Sequence, residues 1–443
     1  MPGMLNIESF HRARRLSSLT YRRWVRRFAF WGGAVMVGLF GVGFARISDR
    51  AGLLQQMIYH RHPFAMLALT PLVTGFGVWL TLSFFLGAGG SGIPQVIAVI
   101  ELDDPHAVAR LLPLRSAIGK FLITVMGLFG GLSIGREGPT VQIAATLMAV
   151  VGRWARLPAW VERRALIVAG GAAGVAAAFN TPLAGVVFAI EELTRSFETR
   201  TSGLVLTSVI LAGITSLALV GNYTYFGSIP ADLSFGAGWW CVLITGVCGG
   251  AVGGLFSRTL IAASQGRIGA ILTARPVLTA VLIGLAVAGI GLGCHGASFG
   301  TGYGAARALL GGAHMPWYYF PAKFLVTVLS YITGVPGGIF APSLSVGAAM
   351  GDLLSHVVPG APAGTVVLLG MAAYFTGVVQ APITGIVIVM EMTNNQQLAM
   401  PIMAASMIAL LTSRLICRQP LYSALAERFK VAYTQSGRGQ EAG

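Results

Sequence analysis

Apolar runs broken by glycine and proline carry the chain from Phe28 almost to its end. Phe28 to Ala45 is an uncharged apolar stretch preceded by Arg22, Arg23, Arg26 and Arg27. A signal peptide has this layout too, but many apolar segments come after it, which predicts an uncleaved first helix. The later segments also read as helices. Because glycine, 60 in all, interrupts many of them, some are expected to be short, tilted or to end within a bilayer. Such ends carry backbone N–H groups that lipid cannot satisfy.

Two of these stretches, about 200 residues apart, repeat one another. Lys120-Phe121-Leu122-Ile123-Thr124-Val125 returns as Lys323-Phe324-Leu325-Val326-Thr327-Val328. Gly131 then matches Gly334 and Pro139 matches Pro342, while Pro182, Gly185, Val187 and Glu191 match Pro382, Gly385, Val387 and Glu391. A duplicated apolar unit with paired breaks marks a transporter built from structural repeats, and its substrate site is expected at the breaks.

Composition agrees. The 443 residues are 55% hydrophobic and 10% charged, against about 25% charged in soluble domains. The net charge of +15 does not indicate nucleic acid, because the basic residues sit in loops and at the ends. Arg12, Arg14 and Arg15 join the four above at one end; Arg414, Arg418, Arg428 and Lys430 stand at the other. Cationic flanks favour the cytoplasmic side. Both termini are then cytoplasmic, the number of crossings is even, and two copies with odd numbers of crossings are inverted relative to one another. Residues 1–27 read as a basic cytoplasmic arm, 28–220 and 236–425 as the two transmembrane repeats, 221–235 as their connecting loop and 426–443 as a short cytoplasmic tail without a regulatory domain. The four cysteines form no CxxC pair and the seven histidines are scattered. No metal or disulfide framework is expected, and no organic cofactor is implied.

Three breaks share one design: Gly90-Ser91-Gly92-Ile93-Pro94, Gly135-Arg136-Glu137-Gly138-Pro139 and Gly337-Gly338-Ile339-Phe340-Ala341-Pro342. Proline suits the first turn of a new helix, and the glycines before it let the chain bend. The breaks therefore present helix N-termini, which bind anions without a buried lysine. An anion that must leave again is better held by dipoles than by full charges. At the 203-residue offset of the repeats, Glu137 falls opposite Phe340. Its carboxylate would compete with an anion for the same N–H groups, and protonation would release it. Anion passage would thereby be coupled to a proton.

These motifs, with Pro420-Leu421-Tyr422 near the end, resemble those of the CLC family of chloride channels and proton-coupled chloride exchangers. The resemblance spans most of residues 80–425. It implies an all-α polytopic membrane fold of about 18 helices in two inverted-topology repeats, a homodimer with one pathway per subunit, and a place in the bacterial inner membrane. It implies that the Ser91 and Tyr422 hydroxyls and the N–H groups of Ile339 and Phe340 hold chloride. Glu137 is then the outer gate and proton acceptor, and Glu192 the internal proton-transfer acid, which channels of the family generally lack. Exchange of chloride for protons is the expected activity and a passive chloride channel the alternative. Serine at 91 implies chloride, since nitrate-preferring members tend to carry proline there and fluoride exporters methionine. Gln95 stands where many relatives have glutamate, and Ile97 where some exchangers carry a second acid, which bears on the inner proton route.

Plainer readings exist for each residue. Glu137 could pair with Arg136, although neighbours on a helix point about 100° apart. Glu192 could pair with Arg195, Ser91 could be an N-cap, and Tyr422 an interface aromatic. Lys120 and Lys323 either snorkel or lend positive potential to a vestibule. Glu391 is expected to be structural. Gly300-Thr301-Gly302-Tyr303-Gly304 has the look of a nucleotide loop, but no strand precedes it. An intramembrane hydrolase built on Glu191 and Glu192 would need a nucleophile or a second converging acid, and the apolar segments offer no serine–histidine pair or aspartate dyad.

Overall fold

A computed structural model of the chain describes residues 4–157, 160–194, 202–221, 224–227, 233, 236–358 and 360–441. Most of the expected connecting loop, including Asn222, Pro230 and Asp232, lies outside these residues, as does Arg195. The first half contains α1 (Met4–Arg61), α2 (Met66–Ser83), α3 (Ile93–Leu102), α4 (Pro105–Leu111), α5 (Leu114–Phe129), α6 (Glu137–Trp154), α7 (Trp160–Phe179), α8 (Pro182–Phe188) and α9 (Ser202–Val220). The second contains α10 (Trp240–Ser264), α11 (Gly266–Ala274), α12 (Pro276–Gly293), α13 (Tyr303–Leu310), α14 (Tyr319–Ile332), α15 (Phe340–Ser355), α16 (Ala363–Val379), α17 (Pro382–Thr393), α18 (Ala399–Ile416) and α19 (Leu421–Glu441). The basic arm continues the first membrane helix without a break, and the tail continues α19.

Among the described residues, seven spans are long and apolar enough to cross a membrane; α3, α14, α16 and α17 are shorter. The long spans expose leucines such as Leu82, Leu122, Leu282 and Leu411. By contrast, every residue of α16 from Thr365 onward is buried. A helix apolar all round and enclosed by protein is a core helix. Small residues let its neighbours approach closely: a Cβ on Gly347 of α15 would lie 2.7 Å from the Gly370 carbonyl oxygen of α16. Between lipid-embedded helices, packing of this kind replaces the hydrophobic drive available in water.

The two halves meet through reciprocal contacts, as two inverted repeats require. Gly135 N–H donates to the Gly338 carbonyl at 2.7 Å, and Gly338 N–H donates to the Gly135 carbonyl at 2.7 Å. The Glu191 carboxylate accepts from the N–H groups of Ile383 (3.1 Å) and Thr384 (2.7 Å) at the start of α17. Glu391 accepts from Leu183 (3.2 Å) and Ala184 (2.7 Å) at the start of α8. Each copy thus caps the other's helix, so Glu391 is structural as expected, and Glu191 shares its role. The copies differ just after this lock. The helix α17 runs on to Thr393, whereas α8 gives way to a π-helical turn, Ala189–Thr194.

A chain of polar contacts gathers one end of the molecule. Arg26 of α1 pairs with Glu162 at 3.2 Å, the Trp160 indole donates to Asp103 at 2.8 Å, and Lys430 of α19 pairs with Glu101 at 2.8 Å. The Tyr433 hydroxyl and the His106 N–H hold the Asp104 carboxyl below its usual range. The beginning of α1 and the far part of α19 therefore share one face. Because each capping carboxylate serves two helix-terminal N–H groups, Glu191→Ala and Glu391→Ala should each destabilise the detergent-solubilised protein by about 1–3 kcal/mol. Thermal unfolding followed by circular dichroism reads this, and unchanged melting in both variants would contradict the lock.

Candidate anion site

The glycine breaks become helix starts. Gly92 (φ 105°) caps α3, Glu137 opens α6, Phe340 opens α15 and Leu421 opens α19. The paired Gly135 and Gly338 bring the starts of α6 and α15 together. A Cβ on Gly138 would run into the Ser91 hydroxyl and lie 3.2 Å from Gly338 Cα, so only glycine lets all three helix starts converge. The Tyr422 ring stands 5.9 Å from that of Phe340, which also packs on Phe179, Phe188 and Phe375. Four helix N-termini, with their partial positive charge, thus point at one place.

Three side-chain oxygens at this place are buried without a hydrogen-bond partner: Ser91 Oγ, Tyr422 Oη and Glu137 Oε2. The Tyr422 hydroxyl is turned toward Ser91. An unpaired buried hydroxyl costs about 1–3 kcal/mol, and the two here, at converging helix starts, make this the candidate place for a ligand that supplies the partner. Ile339 is the N-cap of α15 and Phe340 its first residue, so their N–H groups stand at that helix start. The Glu137 carboxylate folds back beside Gly135 and faces the N–H of Ala341, inside the same ring of donors. Arg136 does not pair with it; its Nη1 donates to the Ala45 carbonyl at 2.8 Å and to Asp49 at 2.5 Å.

Two cavities lie nearby. One of about 440 Å³ is lined by Ser91, Gln95, Tyr331 and Arg428; the other, of about 630 Å³, by Asp49, Arg136, Tyr225 and Tyr303. Glu192 is 2% exposed and lies in the π-helical turn, which packs against α3 and α7. An added residue in a helix re-aims the side chains beyond it, and Glu192 comes within electrostatic reach of Tyr422 while Glu191 serves α17. The Gln95 amide donates to the Gly89 carbonyl at 2.8 Å, and Ile97 is wholly buried.

The repeated lysines do something the sequence left open. Neither snorkels: both are 0% exposed. Lys120 Nζ donates to the Gly90 carbonyl at 2.9 Å, and Lys323 Nζ to those of Ser298 (3.0 Å) and Gly300 (2.7 Å). Gly300-Thr301-Gly302 thus stands to Lys323 as Gly90-Ser91-Gly92 stands to Lys120. Gly300 and Gly90 have φ of 64° and 70°, and Gly302 caps α13 as Gly92 caps α3. The apparent nucleotide loop is a helix start, lining the larger cavity.

The family model for the voltage gated chloride channel matches residues 72–414. The chain belongs to this family. Its members are transporters and channels rather than enzymes. The H(+)/Cl(-) exchange transporter ClcA of Yersinia pseudotuberculosis serotype IB (strain PB1/+) is 33% identical over 427 residues, covering 89% of this chain and 85% of the relative. ClcA of Klebsiella pneumoniae (strain 342) is 30% identical, covering 92% and 90%. The structure of a slow cyanobacterial Cl-/H+ antiporter aligns at a TM-score of 0.78 with 25% identity, covering 92% of this chain and 98% of that one. A CLC-type fluoride/proton antiporter aligns at 0.76 with 24% identity, and this shows the shared fold.

Since the Tyr422 hydroxyl has no partner within the chain, Tyr422→Phe should leave thermal stability unchanged or raised. It should also weaken chloride binding several-fold, read by isothermal titration calorimetry. Unchanged affinity would remove Tyr422 from the site.

Proposed function

We propose that the protein is a secondary active transporter that exchanges chloride for protons across a bacterial inner membrane. The observation that carries this is the position of the Glu137 carboxylate among the helix N-termini that face the unpartnered Ser91 and Tyr422 hydroxyls. A carboxylate and chloride carry the same charge and compete for the same N–H groups. Once protonated, Glu137 no longer needs them, swings toward the larger cavity, and admits chloride. The anion then sits on the Ser91 and Tyr422 hydroxyls and the N–H groups of Ile339 and Phe340. The Glu137 proton passes to or from Glu192, near the cytoplasmic face.

Holding both acids in an apolar interior costs about 2.5–3.5 kcal/mol each, which a purely structural part would not require. Chloride rather than fluoride rests on Ser91. Exchange rather than passive conduction rests on Glu192. Gln95 and Ile97 fit a supporting role, one tying the loop before Ser91 and the other packing. The shared face of Arg26 and Lys430, with the basic arm, supports a cytoplasmic position for both termini. A homodimer with one complete pathway per subunit is the working assembly that the family resemblance implies.

The test uses sealed liposomes holding purified protein. An outward chloride gradient should drive uphill proton uptake that an uncoupler abolishes; chloride efflux without proton movement would mean a channel. Glu137→Gln should abolish proton movement while chloride still flows, and loss of both would sink the gate. Glu192→Ala should remove proton transport selectively, and intact coupling would move the inner relay elsewhere.

A further inference from the structure

The sequence scatters its histidines, but the fold gathers two of them around a buried acid, away from the anion site. His314 lies in the connection between α13 and α14. Asp352 lies in the last turn of α15, and His356 is its C-cap. One ligand atom from each of the three lies within 4.8 Å of the others. We propose that His314, Asp352 and His356 form a binding site for a divalent transition-metal cation of the zinc class, one per chain.

The groups are oriented rather than merely close. Asp352 has a side chain 4% exposed, and its Oδ2 accepts the Met315 N–H at 3.0 Å. This fixes the carboxylate and turns Oδ1 toward His314 Nδ1, 2.7 Å away. His356 Nδ1 lies 2.8 Å from the Asp352 carbonyl. A carbonyl only accepts, so Nδ1 carries the proton and Nε2 keeps its lone pair for a ligand. A backbone carbonyl on the far nitrogen is the usual support of a metal-binding imidazole. The two rings stand 4.8 Å apart, and both histidines are exposed, so an ion can reach them.

Two imidazoles and a carboxylate suit zinc and its neighbours better than magnesium or calcium, which prefer oxygen alone. Ligand atoms around a tetrahedral zinc ion lie roughly 3.3 Å apart. The present spread needs only small side-chain rotations to reach that. A cavity of about 140 Å³ beside Asp352 and His356 leaves room for water as the fourth ligand. The bound ion would tie the end of α15 to the connection leading into α14. Met315, between them, also lines the larger cavity that holds Arg136. The site stands at the opposite end of α15 from Ile339 and Phe340, about 18 Å away for Asp352 and about 24 Å for His356 at 1.5 Å per residue. Its existence does not depend on the transport reading.

The experiment uses full-length protein, freed of any histidine tag and stripped with chelator. Zinc chloride is titrated by calorimetry at neutral pH. The expected result is one saturable site per chain, weakened about tenfold or more by either His314→Ala or His356→Ala and lost in the double variant. Cobalt should give visible absorption bands that vanish in the same variants. Both histidines are exposed, so matching gel-filtration profiles will show that folding is kept. Absence of saturable binding, or equal affinity in the wild type and the double variant, would overturn the proposal.

Discussion

A backbone N–H inside a bilayer has no water to turn to, and this constraint shapes the whole molecule. A helix that begins at depth leaves several such groups open. The chain turns the starts of α3, α6, α15 and α19 toward one another. Gly92, Gly135, Gly138 and Gly338 permit the approach. Carbonyls that the turns leave open are taken by Lys120 and by Gly337 N–H, both bonded to the Gly90 oxygen. The Ser91 and Tyr422 hydroxyls at this place have no partner among the described residues. In the proposed mechanism an anion and a carboxylate take turns supplying it.

Duplication supplies the frame, and departure from symmetry supplies the chemistry. The two copies agree where they hold one another, Gly135 with Gly338 and Glu191 with Glu391, and where each lysine ties down a turn of its own copy, Lys120 with Lys323. They disagree at the two acids assigned to the proton. Glu137 has Phe340 as its counterpart, and Glu192, at the offset that pairs Glu191 with Glu391, has Met392. The only π-helical turn among the described residues comes after α8, the helix that leads to Glu192. An even frame thus carries a one-sided route.

The paired breaks were legible in the sequence because glycine and proline at those spacings have few other uses in an apolar segment. Glu137 could be read because an acid beside such a break is costly without a task. Other features were hidden by their nature. Glu191 and Glu391 were matched as repeats, but a carboxylate capping a helix of the other copy is a contact across nearly 200 residues that no local pattern encodes. Lys120 and Lys323 gave no hint of burial, because burying a lysine depends on carbonyls from distant turns. Gly300-Thr301-Gly302 became intelligible only once Lys323 was seen holding it as Lys120 holds Gly90. His314 and His356 are 42 residues apart in the chain, and only the end of α15 brings them together.

The central claim is that the Glu137 carboxylate and chloride compete for one set of donors. Calorimetric chloride binding across a range of pH tests it most directly. The account predicts that wild-type affinity strengthens as pH falls, because protonation removes the competitor, and that Glu137→Gln binds chloride tightly and independently of pH. Wild-type affinity that does not change with pH would contradict it.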